Sequence, residues 1–240
     1  MTEKERFERI LRADRESLHT YSGIGTVSEK RLHRIIKSYV SEDTSTHEIK
    51  LGRYVADVFI DGRIYEIQTK AFSRLLPKLK YYFEETPYSV TVIYPIIRNK
   101  KIIRIDPETG EILRKKASPN HGKAADILTE LYHVRELFPH GRLKIRLLFI
   151  DAEEYRYSER VRYRRTGAYD SELFPTDLVG EEEYSSIEDI RRIIPINRES
   201  FSASEYSKAT GLRGRKLYYS LTFLCHAGLI KKENKTYFLS

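Results

Sequence analysis

Residues 52–70, GRYVADVFIDGRIYEIQTK, constrain the fold of this chain more than any other stretch. Asp61-Gly62 between two alternating apolar arms is the strongest short-range signal for a β-hairpin, because a type I′ turn needs positive φ at both central residues. With those two residues as the loop, Ile60 faces Arg63, Phe59 faces Ile64 and Asp57 faces Glu66. Two carboxylates directly opposite on one face repel each other and weaken a sheet. The arrangement is tolerated where a cation sits between them, and a divalent metal held by hard oxygen ligands meets that need.

The argument extends one strand back. Gly52-Arg53 suits a two-residue type II′ turn with glycine at its first central position. Partners across it place Glu48 opposite Asp57, so Glu48, Asp57 and Glu66 form one row over three antiparallel strands. The next row on that face holds Lys50, Val55 and Gln68. A solvated acidic face is the alternative. Against it, Val55, Val58, Phe59, Ile64 and Ile67 make these strands apolar on both sides, and buried carboxylates without partners are costly.

A length of 240 residues is enough for one medium domain with a real core and a second, small one. Lys and Arg number 43 against 35 Asp and Glu, a net charge of +8 that favours polyanionic partners. The single cysteine, Cys225, excludes an intramolecular disulfide framework and Cys-rich zinc modules. The seven histidines lack ligand spacing. No apolar run reaches membrane-spanning length and the first residues lack the apolar stretch of a secretory signal, so a cytoplasmic protein without membrane partners is expected.

Periodicity predicts helices over 3–18 and from Ser28, the strand meander over 47–69, and a helix over 73–85 with Pro77 near its first turn. Residues 89–96, SVTVIYPI, read as a buried strand, and 100–116 as a hairpin around Asp-Pro-Glu-Thr-Gly. A helix over 123–138 and a strand over 142–152 follow, which implies a right-handed crossover and parallel pairing of 89–96 with 143–151. The result is a mixed sheet flanked by helices. Residues 153–167 interleave Tyr with Arg, and Arg160, Arg162 and Arg164 share one face if this is a strand. Such a segment tracks a phosphate backbone or forms a salt-bridged edge. Residues 171–184 carry Pro, Gly and an acidic run and read as a linker.

From 185 to 240 the pattern changes to short helices: one opened by Ser186, one with a Ser202–Glu205 capping box and a Gly211 stop, then one with Leu217, Leu221 and Leu224 inward. A closing hairpin around 233–235 completes a winged-helix pattern. The third helix would present Arg213, Arg215, Lys216 and Tyr219 outward, and the wing would add Lys231, Lys232 and Lys235. Ten Lys or Arg against five Asp or Glu suit a phosphate-facing surface, while protein contact or dimerisation is the alternative use.

With D-x8-E-x-Q in a β-meander between helices, residues 28–152 resemble the PD-(D/E)XK nuclease superfamily, the restriction-endonuclease-like fold. The chain also resembles a bacterial family that joins an EIQT-type core to a C-terminal winged helix, through LHRIIK (32–37), YVADV (54–58) and YEIQTKAFSRLLPKL (65–79). The resemblance implies an α/β nuclease domain over 1–170, a linker over 171–184 and a winged-helix DNA-binding domain over 185–240. It implies Asp57 and Glu66 as ligands of Mg²⁺ or Mn²⁺, with Glu48 or Glu29 as an auxiliary acid. Gln68 stands where the superfamily has a lysine; it would orient the attacking water, and Lys50, Lys70 or Lys78 would supply the missing charge, Lys50 being favoured by its row. The expected activity is metal-assisted hydrolysis of phosphodiester bonds in double-stranded DNA, with a homodimer plausible by analogy to restriction enzymes. The alternatives are a nuclease-fold DNA-binding or regulatory protein that has lost turnover, and an RNA- or tRNA-processing nuclease, which the sequence does not separate from a DNA nuclease.

Overall fold

A computed structural model describes residues 1–18, 28–106, 108–138, 140–157 and 171–240. Arg160, Arg162 and Arg164 lie outside the described residues. In chain order the elements are α1 (Glu3–Leu18), α2 (Ser28–Val40), β1 (His47–Leu51), β2 (Tyr54–Ile60), β3 (Arg63–Ile67), α3 (Phe72–Glu85), β4 (Ser89–Ile105) and β5 (Ile112–Ala117). Then come α4 (Ile127–Leu131), β6 (Leu143–Tyr157), β7 (Ser171–Tyr184), α5 (Ile187–Arg191), β8 (Ser200–Ser202), α6 (Ala203–Thr210), α7 (Gly214–His226), β9 (Ile230–Glu233) and β10 (Thr236–Leu239). The protein is mixed α/β, with a seven-stranded sheet ordered β1-β2-β3-β4-β6-β7, β5 pairing β4 off that path, and a three-stranded sheet ordered β8-β10-β9.

The chain divides into two compact units interleaved along the sequence: residues 1–47, 95–122 and 148–181, and residues 48–94, 123–147 and 182–240. In the first unit α1 and α2 pack through Phe7 and Tyr39, whose rings meet edge to face at 5.4 Å. Asp14 accepts Arg31 at 2.5 Å and Arg34 at 2.6 Å, and Arg31 lies 4.1 Å over the Phe174 ring.

The second unit contains the hairpins that dominate the sequence. β2 and β3 pair with Ile60 opposite Arg63 and Phe59 opposite Ile64, as the Asp61-Gly62 turn requires. Asp61 and Gly62 have φ of +49° and +73°, the type I′ signature. Gly52 has φ +60° and Arg53 is not left-handed, which agrees with a type II′ turn. A Cβ at Gly52 would fall 1.7 Å from the Tyr81 hydroxyl oxygen. Gly52→Ala should therefore cost about 1–3 kcal/mol in urea denaturation. Gly62→Ala, whose nearest neighbour is Tyr88 at 3.7 Å, should pay only the smaller backbone term.

β3 continues through α3 into β4, which pairs with it in parallel, Glu66 opposite Val92 and Ile67 opposite Ile93. Phe72, Leu75, Leu79 and Tyr82 form the buried stripe of α3 at helical spacing. Ala71, before that helix, offers no side-chain cap, and Glu130 instead accepts the Phe72 N–H at 2.9 Å. The carboxylate there also suits the positive end of the helix dipole.

Two expectations fail. Residues 171–184 are not a linker but the strand β7, at the end of the sheet order. Pro175 is compatible with such an edge position, and in the acidic run Glu183 bonds Lys144 and Arg146 of β6, each at 2.8 Å. The continuous helix over 123–138 is broken into 3-10 turns at Ala124–Asp126 and Tyr132–Val134 around the five-residue α4.

In the C-terminal stretch, Ser186 accepts the Asp189 N–H at 3.1 Å and Ser202 accepts that of Glu205 at 3.2 Å, as the capping signals predict. Gly211 ends α6 at φ +81°. β9 and β10 close a two-residue turn at Asn234, φ +54°.

Candidate active site

Glu66 is a buried, ion-paired acid of the second unit. It lies on β3, 3% exposed, and its Oε2 is 2.6 Å from the Lys78 Nζ of α3. Its Oε1 accepts the Tyr82 hydroxyl at 3.1 Å. Lys78 and Tyr82 are four residues apart, so one face of α3 delivers both donors to one carboxylate. Asp57, half-buried on β2, accepts the Ile67 N–H at 2.8 Å through Oδ2. Burial raises the Glu66 pKa from 4.5 to about 7, and the neighbouring Asp57 charge adds to the rise, while Lys78 and the Tyr82 hydrogen bond pull the other way. Burial and the Glu66 charge also push the Tyr82 phenol upward.

Asp57 and Glu66 are thus brought together as the hairpin register predicts, and Lys78 stands with them. Lys50 is exposed on β1 and Lys70 is exposed beyond β3. Within β1, Glu48 takes φ +53°, a left-handed conformation unusual for a non-glycine strand residue. Glu48 is exposed. Among the described residues no group of three or more His, Cys, Asp or Glu side chains is placed to hold a metal, so Glu48 does not complete a triad with Asp57 and Glu66. The side chain of Glu29 lies outside the described residues.

Gln68 donates its amide to the Lys70 carbonyl and, at 3.5 Å, to that of Ala71. Ala71 has φ +58°. A non-glycine residue there carries strain of the kind that gathers at functional sites, and Gln68 holds the turn in that shape.

An aromatic wall went unnoticed in the sequence. Tyr54 lies 5.3 Å from Tyr81 and 6.3 Å from Tyr82, with the Arg53 guanidinium over the first two rings at 5.4 and 4.9 Å. Its only signal was Arg-Tyr at one turn and Tyr-Tyr on the following helix.

Of the C-terminal cations, Arg213, Arg215, Lys216, Lys231, Lys232 and Lys235 are exposed. Lys231 pairs with Glu233 at 2.8 Å, and Lys232 lies 5.7 Å over the Tyr237 ring. Tyr219 does not point outward: it stacks on Tyr132 at 4.3 Å and 12°. The helix has a second covered face, against α4 and the following turn, which its own periodicity could not reveal.

Residues 30–184 match the family described as "Domain of unknown function (DUF8091)". The chain belongs to this family. A Treponema pallidum (strain Nichols) protein described as "Uncharacterized protein" is 29% identical over 219 residues, 88% of this chain and 84% of that protein. No solved structure matches the chain. The family region contains Asp57, Glu66 and Lys78.

Proposed function

We propose that this protein is a divalent-metal-dependent nuclease of restriction-endonuclease-like fold that hydrolyses phosphodiester bonds in DNA. The observation that carries the reading is the buried Glu66 carboxylate, set beside Asp57 on adjacent strands and 2.6 Å from Lys78. The order of β1–β3, α3 and a parallel β4 supports it.

The donor set fits Mg²⁺ or Mn²⁺. Such ions take one or two carboxylates and fill the remaining positions with water and phosphate, so a pair suffices where a protein cage would need more ligands. Burial, with the Asp57 charge adding to it, disfavours the Glu66 anion, and a bound dication would favour it again. Asp57 and Glu66 would hold the ion. When bound, it would polarise a phosphoryl oxygen and lower the pKa of a water. Lys78 offsets charge developing on the phosphate, the role expected of the superfamily lysine. Tyr82 orients Glu66, and Gln68 shapes the turn that starts α3.

The C-terminal order β8, α6, α7, β9, β10 supports a winged helix that holds duplex through Arg213, Arg215 and Lys216 of α7 and Lys231, Lys232 and Lys235 of the wing. A cytoplasmic place suits such a protein, and no helix among the described residues is long and apolar enough to cross a membrane. One observation favours a second reading, a DNA-binding protein without turnover: the Gln68 amide is committed to backbone carbonyls and leaves no obvious donor for a water.

Plasmid, single-stranded DNA and RNA, each with Mg²⁺ or Mn²⁺, decide between the readings. The wild type should cut DNA only with metal, and Asp57→Ala and Glu66→Ala should abolish cutting. Cleavage that survives both substitutions would overturn the site. Tight duplex binding with no cleavage under any metal would favour the second reading.

A further inference from the structure

The hairpin of β4 and β5 plays no part in the site above, yet it carries the most exposed strand described. All six residues of β5 are exposed, Ile112 and Leu113 by 52% and 55%. Residues 98–117 hold seven Lys or Arg against three Asp or Glu, and the three acids, Asp106, Glu108 and Glu111, sit in or beside the loop at the tip.

The pairing register sorts the cations by face. Arg104 is directly opposite Arg114, and Ile102 is opposite Lys116, so Arg104, Arg114 and Lys116 share one face. Lys101 and Lys115 lie on the other. Ile102 and Ile103 are buried at the base, which anchors the strand pair.

Several cations of the same unit have acids: Lys4 with Asp177, Arg31 and Arg34 with Asp14, Lys100 and Arg156 with Glu154. Arg104, Arg114, Lys115 and Lys116 have no ion-pair partner among the described residues. Like charges directly opposite in a sheet destabilise it. Guarding an edge against aggregation accounts for lysines on β5. It does not account for Arg104 on the inner strand, nor for two neighbouring exposed apolar residues on the open edge, which invite pairing.

We propose that the outer part of the β4–β5 hairpin is a nucleic-acid-binding ribbon whose Arg104, Arg114 and Lys116 face grips the phosphate backbone of duplex DNA. It rests on the nuclease reading for the choice of DNA among polyanions. A two-stranded ribbon is narrow enough for the major groove, roughly 12 Å wide. The register shift between Arg104 and Ile105 adds the local twist that bulges bring. Guanidinium groups make the bidentate phosphate contacts that a point charge cannot.

The test measures binding of the full chain to a labelled duplex in EDTA across a salt series, where no cleavage step enters. A triple variant, Arg104→Ala with Arg114→Ala and Lys116→Ala, should bind about tenfold or more weakly near physiological salt, with the log–log salt slope shallower by about 3, roughly one per lost phosphate contact. Thermal melting checks that the variant is folded. Arg104→Lys with Arg114→Lys, which keeps the charge but loses the bidentate fork, should keep the wild-type salt slope and bind with an affinity between wild type and the triple variant, and it guards against a fold effect. Wild-type affinity and slope in the folded triple variant would overturn the proposal. So would unchanged duplex binding together with lost binding to phosphatidylserine vesicles, which would assign the ribbon to an anionic membrane. Failure of the nuclease reading looks different: no metal-dependent cleavage, with the ribbon's contribution to binding intact.

Discussion

Lys78→Met should bind duplex in EDTA like the wild type and cleave it about 10²–10³-fold more slowly, the usual loss when one preorganised charge-stabilising donor is removed. The reason is placement. Lys78 enters from the second turn of α3, its Nζ 2.6 Å from Glu66, with a side chain 19% exposed. It is a cation that the fold places directly on Glu66. The substitution should also move the pH dependence. Lys78 holds the Glu66 pKa down, so without it the carboxyl titrates above its value of about 7 and any residual activity shifts to higher pH. Lys78→Arg should restore part of the rate and most of that shift. A merely structural lysine would give another pattern: a lower melting temperature, an unaltered pH profile and an undiminished rate per folded molecule. That outcome would return the charge-supplying role to Lys50 or Lys70.

The parts of the site that could be read in advance were those governed by local backbone chemistry. Asp61-Gly62 demanded positive φ, the turn length fixed the register, and the register put Asp57 near Glu66. Lys78 was one of three candidates, and only the placement of α3 against β3 shows its amine reaching Glu66. Glu48 takes φ +53°, a left-handed conformation that its residue type does not announce. Tyr82 was hidden for another reason: on an apolar helix face a tyrosine reads as core, and only the neighbour across the layer reveals a hydroxyl aimed at a carboxylate. β7 was misread because Pro175, Gly180 and the acids around Glu183 look like loop chemistry. Their compensation lies on β6, in Lys144 and Arg146, nearly forty residues away. Tyr219 failed in the same way, since Tyr132 covers a helix face that its own periodicity leaves open. Turns and caps are local and legible; which surface a finished element meets is not.

Glu66→Gln should abolish metal-dependent cleavage and yet stabilise the protein at alkaline pH. The carboxyl has a folded pKa of about 7 against 4.5 for an unperturbed glutamate. Between those values the folded state holds a proton that the unfolded chain has released, so stability falls as pH rises through that window. Each unit is worth about 1.4 kcal/mol, which places the full loss at about 3 kcal/mol above pH 7. An amide of the same shape does not titrate, so the difference between variant and wild type in urea denaturation should grow from near zero at pH 4.5 to about 1–3 kcal/mol at pH 8. The lower figure allows for Lys78 losing its partner. Groups such as Asp189, held well below the usual carboxylate range by hydrogen bonds from Ser185 and Ser186, titrate at lower pH and cancel in the comparison. Mn²⁺ at pH 8 should stabilise the wild type and leave Glu66→Gln and Asp57→Asn unmoved, because a dication relieves only a pair that carries two charges. A wild type whose stability is flat from pH 4.5 to 8 and indifferent to metal would mean that Lys78 alone neutralises Glu66, with no dication required at the pair.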